Sequence, residues 1–261
     1  MPDEVIAPVE TGAAALAARY DELYQGDVAA RNPLDIQVQP VQLRGWPTDL
    51  RQALVYLARP GGRLLEIGCG CGEVLATLAP HFDEAIGTEL SSIKAERARQ
   101  GLAHLLNCTI LNEPLERLAL LVNPPLDCIV WADVVEHIVD VIGAMRILAS
   151  LSRPGTQLTT VTPNVAFLPH RLRLLLGRAP ATALRYPNEG FADDPRQTIL
   201  LDAGHLHYFT FRQVEILYRL AGFRPEQRLG IASRFSHLRN FWPTLLSSSV
   251  CVSGTFQGSG A

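Results

Sequence analysis

The sequence predicts an α/β fold built on an open, mostly parallel sheet flanked by helices. Three observations carry this. Short apolar or β-branched runs alternate with helix-forming segments from Arg63 to Thr162. The run Asp127–Ala132, DCIVWA, is apolar nearly throughout, as a strand covered on both faces must be. A glycine-rich turn, Gly68-Cys69-Gly70-Cys71-Gly72, joins a strand pattern to a helix pattern. Repeated strand-then-helix units imply right-handed crossovers and a parallel sheet.

Each element follows from local pattern. Residues 1–31 are an Ala-rich helical lead-in, and Asn32–Trp46 is loop or short extended chain. Pro47–Ala58 carries a Thr/Asp cap and apolar residues at helical spacing. Arg59-Pro60-Gly61-Gly62 is a turn. Arg63–Gly68 is a strand, Gly72–Leu78 a helix and Ala85–Leu90 a strand. Ser91–Leu106 has helix-forming composition. Thr109–Leu111 and Asp127–Ala132 are strands, Asp140–Leu151 is a helix, and Pro154-Gly155 turns into the strand Thr156–Thr162. The alternation then lapses over 163–204, read as a cap insertion with an amphipathic helix at Phe167–Leu176. A helix at Phe211–Ala221 and terminal strands at Arg224–Ala232 and Ser247–Phe256 close the chain. The domain reading is a lead-in over 1–46 and one domain over 47–261.

Composition narrows function. The 261 residues are 48% hydrophobic and 19% charged, which is ordinary for a globular chain. Lys+Arg 23 against Asp+Glu 26 gives −3, so no overall electrostatic case exists for a nucleic-acid partner. No apolar run reaches the roughly 18–20 residues that span a bilayer. The acidic start MPDEVIAPVETG lacks a signal-peptide pattern, so a cytoplasmic location is expected. Five cysteines form no disulfide framework, and Cys69 and Cys71 have no second Cys/His pair at zinc spacing.

The glycine turn carries the chemistry. A turn beyond a strand's carboxyl end is where open α/β sheets bind ligands, and glycine lets the backbone approach closely. A dinucleotide site wants G-x-G-x-x-G, but the third glycine position is Glu73, and an acid repels a pyrophosphate. That spacing excludes a nicotinamide oxidoreductase. Glu66, two residues before Gly68, suits a cationic amine. Glu89, at the tip of the next strand, is placed to accept from a ribose diol. A nucleoside with an amino-acid arm and no phosphate describes S-adenosylmethionine (SAM).

LLEIGCGCGE, GTELS, DCIVWADVVEH and GTQLTTVTPN together resemble the motifs of class I SAM-dependent methyltransferases over residues 50–162. The resemblance implies a Rossmann-like, seven-stranded core. It implies that Glu66, Gly68, Gly70 and Gly72 line the methionine end, that Glu89 binds the ribose, and that Leu90 lies against adenine, with Cys69 a further cofactor contact. Ala132 and Tyr24 join the cofactor-contact candidates. Relatives place an Asp after the third strand for the adenine amine; here Asn112 or Glu113 would substitute. DVVEH is similar to a segment of ubiquinone-biosynthesis O-methyltransferases, and TPNVAFLPHRLRLLLGRAPAT resembles MetW-like proteins. The implied reaction is methyl transfer from SAM, leaving S-adenosylhomocysteine (SAH), to a small-molecule hydroxyl. The alternative is a SAM-fold protein that acts by binding another enzyme.

Other residues stay open between roles. His137 is a base candidate or a packing histidine. His205 and His207 would share one face of a strand, either as catalytic or pocket groups, as metal ligands with a third partner, or as structural residues. The methyl-transfer reading requires no metal. Tyr20 and Tyr24 either close over the cofactor or pack at i, i+4 spacing. Arg171, Arg173, Arg178 and Arg185 among leucines suit a pocket lid or, through 167–178, peripheral membrane contact. The same apolar stretch could serve as a dimer surface, so sequence leaves the oligomeric state open.

Overall fold

The computed structural model describes residues 12–29, 38–180, 182, 204–231 and 234–258. Its strands are β1 (Arg63–Ile67), β2 (Glu84–Thr88), β3 (Cys108–Leu111), β4 (Leu126–Ala132), β5 (Ser152–Pro163), β6 (Phe223–Arg228) and β7 (Ser249–Phe256). They form one sheet in the order β3-β2-β1-β4-β5-β7-β6. Strands β1 to β5 pair in parallel, and β7 runs antiparallel to both of its neighbours. The expected mostly parallel, seven-stranded sheet is therefore present.

The helices are α1 (Gly12–Ala29), α2 (Leu50–Leu57), α3 (Glu73–Leu78), α4 (Ser92–Leu102), α5 (Leu118–Leu121), α6 (Val141–Ser150), α7 (Leu168–Leu175), α8 (Phe211–Leu220), α9 (Ser236–Arg239) and α10 (Pro243–Leu246). One face of the sheet packs on α2, α3 and α4 through Leu54, Leu75 and Ala98. The other packs on α6 and α8 through Met145, Leu148, Val214 and Tyr218. Trp131 in β4 is 1% exposed, and its indole N–H donates to Thr160 Oγ1 at 2.5 Å. Truncating a buried ring of this size to Ala costs about 3–5 kcal/mol.

Side-chain caps start several helices. Asp49 accepts from Gln52 N, Ser91 from Lys94 N and Asp140 from Gly143 N. Thr210 and Gln213 form a reciprocal capping box on α8. Each such cap contributes about 1 kcal/mol.

Three details depart from the sequence pattern. The Pro154-Gly155 turn is absorbed into β5, whose register on β4 shifts between Leu126 and Cys128. Thr156 Oγ1 closes that irregularity by donating to Leu126 O and accepting from Arg153 N. Helices α5, α9 and α10 have only four residues each, too short to show a helical period. In the insertion, α7 buries no residue, Arg171 and Arg173 donate to nearby backbone carbonyls, and Leu175 and Leu176 are exposed. Arg185 lies outside the described residues. No helix among the described residues is long and apolar enough to cross a membrane.

Glu226 joins the α2–β1 turn to the β6–β7 edge. It accepts from Arg224 at 2.8 Å, Thr255 at 2.8 Å and Arg59 at 3.0 Å. The Arg224 and Thr255 bonds hold its carboxyl down at about 2, from an ordinary 4.5. Its stabilising effect is thus complete above pH 4.5 and fades as pH falls toward 2. Glu226→Gln is expected to lower the melting temperature at pH 7, with the gap to wild type narrowing by pH 3. An equal gap at both pH values, by scanning calorimetry, would refute this.

Candidate active site

The chain runs outward from β1 to β2 and β3, then returns to place β4 on the other side of β1. Loops leaving β1 and β4 therefore diverge and open a crevice at the strands' carboxyl ends. A cavity of about 740 Å³ occupies this position.

Its floor is the turn after β1. Gly68 has φ +70° and sits where a Cβ would come within 2.3 Å of Val134 Cγ2. Gly70 has φ +57°, and a Cβ there would project into open space. Both requirements select glycine. Gly72 lies off the cavity, against Leu102 of α4.

Two acids flank this turn. Glu89 Oε2 accepts from Gly70 N at 2.9 Å, and Oε1 accepts from Ser91 N at 2.9 Å. The carboxylate thus holds the turn while facing the cavity. Glu66 points from β1 into the cavity wall and is 4% exposed. Its Oε2 is buried without a hydrogen-bond partner. Burial, reinforced by the charge of Glu73, pushes its pKa well above the usual carboxylate range.

The cavity also takes in Cys69, Leu90, Glu113, Ala132 and His137 from the predicted set. Asn112 does not line it. Its amide instead donates to the carbonyls of Glu89 at 2.8 Å and Leu90 at 3.0 Å, tying the end of β3 to the loop after β2. Tyr24 belongs to α1, but its side chain lies outside the described residues.

The loop after β4 supplies the opposite wall. Asp133 adopts φ +52°, uncommon for a residue with a Cβ. Its amide donates to Val161 O at 2.9 Å. Glu136 is 1% exposed; its Oε2 accepts from Thr162 Oγ1 at 2.9 Å, while Oε1 has no hydrogen-bond partner. Burial first, and then the charge of Asp133, raise its pKa well above the carboxylate range. The Glu136 carbonyl accepts from Leu206 N at 2.8 Å and His207 N at 3.1 Å. These bonds bring His205 against His137, with ring centroids 4.8 Å apart. His207 turns toward Phe209 and does not line the cavity.

Among the lining residues, Arg51 and Leu16 are not singled out by the sequence, whereas Tyr20 is a closing candidate that the cavity takes in. Arg51, in the first turn of α2, lines the cavity and lies 3.5 Å from Glu73 Oε1. Its signal was a cation opening the helix just before the glycine strand. Helix α1 roofs the cavity with Leu16 and Tyr20, and Tyr20 meets the His137 ring edge-on at 6.0 Å. The described part of the 163–204 insertion contributes nothing to the lining.

The model of a methyltransferase domain matches residues 42–228, well over half of the chain. The chain belongs to the methyltransferase-domain family. This methyltransferase is similar in fold to the YcgJ protein of Bacillus subtilis, at TM-score 0.55 and 16% identity, over 80% of this chain and 100% of that one. It is also similar to the mitomycin 7-O-methyltransferase MmcR, at TM-score 0.58 and 15% identity, over 94% of this chain and 61% of that one. A third similar structure is the magnesium protoporphyrin IX methyltransferase of Synechocystis, which has SAH bound, at TM-score 0.50 and 13% identity, over 93% and 83% of the two chains. A comparison with curated proteins finds no significant match. Family and fold together identify a class I SAM-dependent methyltransferase.

In the methyltransferase the roof is pinned by one acid. Asp21 of α1 accepts from Ser91 Oγ and Ser92 Oγ, both at 2.6 Å, at the start of α4. Burial works against its charge, but these hydrogen bonds and that from Ile93 N prevail and hold its pKa below the ordinary value. A carboxylate at a helix N-terminus is also favoured by the helix dipole. Asp21→Ala is expected to free the roof and speed SAH release by about tenfold, the equivalent of roughly 1.4 kcal/mol. A stopped-flow release rate equal to wild type would show that α1 does not gate the cavity.

Proposed function

We propose that the enzyme transfers a methyl group from SAM to a hydroxyl oxygen of a small molecule. The observation that carries the cofactor assignment is the buried, unpartnered oxygen of Glu66 in the cavity wall. An ammonium group would satisfy that oxygen. Arg51, on the same side, would take the cofactor's carboxylate. Gly68 and Gly70 would let the methionine arm lie against backbone. Glu89 keeps lone pairs beyond the two amides it accepts from, and these would receive the ribose hydroxyls. Leu90 and Glu113 would border the adenine, with Asn112 positioning that edge through Glu89 and Leu90.

When bound, SAM supplies an electrophilic methyl on a sulfonium. The protein's task is then to align an acceptor and remove its proton. Of the three candidate histidines, His137 is the one on the cavity wall. The cavity volume falls within the roughly 300–1,000 Å³ of small-molecule sites. The neighbour MmcR is by name an O-methyltransferase, which accords with an oxygen acceptor.

Two experiments test this reading. Calorimetric titration with SAM is expected to show a proton released on binding, because an ammonium favours the ionised form of a carboxyl whose pKa burial has raised. Affinity should therefore rise with pH above the ordinary carboxylate range, and Glu66→Gln should flatten that dependence. A pH-independent wild type would remove Glu66 as the ammonium partner. Glu89→Ala should weaken SAM by about 10–100-fold, the scale of a hydrogen bond to a charged group. His137→Ala should lower kcat by about 100-fold or more, with SAH affinity within about threefold of wild type. Unchanged kcat in a screen of hydroxylated acceptors would remove His137 from proton transfer. SAM binding with no turnover, and co-purification with a second enzyme, would favour the partner-binding alternative.

A further inference from the structure

On the wall formed after β4 lies a second group of side chains, outside the set assigned to SAM. One carboxylate oxygen of Glu136 and one ring nitrogen each of His137 and His205 lie within 4.8 Å of one another. His205 Nε2 is 4.0 Å from Glu136 Oε1, too far for a hydrogen bond. That Oε1 is the buried atom left without a partner, in a residue only 1% exposed. An ionised carboxylate oxygen stranded in the interior is costly unless a proton or another cation meets it.

We propose that Glu136, His137 and His205 bind one divalent first-row transition-metal ion, with zinc the best match. Two imidazoles and one carboxylate are a known zinc donor set, completed by water or substrate at a fourth position. Magnesium and calcium prefer oxygen ligands throughout.

The surroundings are those of a metal site. His137 Nδ1 lies 3.1 Å from the Gly204 carbonyl, which can only accept. The proton therefore sits on Nδ1, and Nε2 carries the lone pair that a metal needs. His205 Nδ1 lies 2.7 Å from Thr182 Oγ1, a hydroxyl able to accept its proton. The ligands come from positions far apart in sequence, but the Glu136 carbonyl fixes the 205–207 segment against the 135–137 turn through two amide bonds. Zinc bonds of about 2.0–2.1 Å imply ligand atoms about 3.3 Å apart. Closing from the observed 4.8 Å or less needs shifts of about 1 Å shared by three side chains.

Because His137 also lines the cavity, the open position would face the acceptor. This part rests on the methyl-transfer reading. An acceptor hydroxyl bound there would lose its proton to water, with no change in the ion's oxidation state. Its oxygen would stay on the metal, more acidic in the way zinc-bound water is. His137 would then act through the ion rather than as a free base.

The test is titration of the chelator-stripped full chain with cobalt(II), read by visible absorption, followed by zinc displacement, with SAH calorimetry in parallel. One cobalt per chain, displaced by zinc, is expected. Glu136→Gln and His205→Ala should each weaken it by about 100-fold or more, and Thr182→Ala by about tenfold. SAH affinity within about threefold of wild type would show that each variant is folded. The proposal is overturned if wild type shows no saturable binding, or if both ligand variants bind as wild type does. Cobalt binding without SAH binding would leave the metal site standing and sink the cofactor reading; SAH binding without cobalt would do the reverse.

Discussion

Everything at the site depends on the strand order around β1. With β2 on one side and β4 on the other, the chain leaves β1 in one direction and returns past it. Two loops that would otherwise pack together are separated at the carboxyl edge, and the gap becomes the cavity. The register makes the gap deep. Glu66 pairs with Gly87 on one side and Val130 on the other, so an acid sits between strands buried on both faces. Leu64, on the same face, is fully buried. An ionised acid at such a position is tolerated only if a charge arrives to meet it.

Three glutamates show how surroundings divide one side chain among different tasks. Glu89 accepts from two backbone amides and braces the glycine turn while facing the cavity. Glu66 has an oxygen with no partner and faces the cavity. Glu136 has one oxygen bound to Thr162 and the other without a partner, beside two histidines. The first is satisfied within the protein. The other two each keep one buried oxygen without a hydrogen-bond partner. Binding energy lost in folding at these positions is available to a ligand.

The strands, most of the helices and the glycine turn were legible because their signals are local. A buried strand must be apolar, and a helix must cap and repeat within a few residues. Gly68, Glu66 and Glu89 could be read together because they belong to adjacent strand ends. The histidine cluster could not. The sequence offers His205 and His207 as metal ligands with no obvious third ligand close by, whereas the structure sets His205 against residues 136 and 137 through backbone hydrogen bonds that leave no sequence trace. Sharing a face on a strand was also the wrong geometry, because the 205–208 segment has no strand pairing. The resemblance offers Asn112 or Glu113 for the adenine amine; the use of Asn112 as a bridge depends on carbonyls that become neighbours only when β2 and β3 pair. The roof is legible only in part: Tyr20 and Tyr24 offer closure over the cofactor, but an Ala-rich helix does not reveal what else it covers.

The two halves of the site are mechanically joined. Gly68, in the turn after β1, has no Cβ because Val134, in the loop after β4, occupies that space. Val134 lies one residue from the turn that carries Glu136 and His137. Any shift of the cofactor turn is thus passed by direct packing to the histidine cluster, and close-packed side chains transmit displacement rather than absorb it. His137 belongs to both regions, on the cavity wall and within the cluster. Tyr20 of the roof touches that same ring. The floor, the roof and the cluster therefore meet at one imidazole.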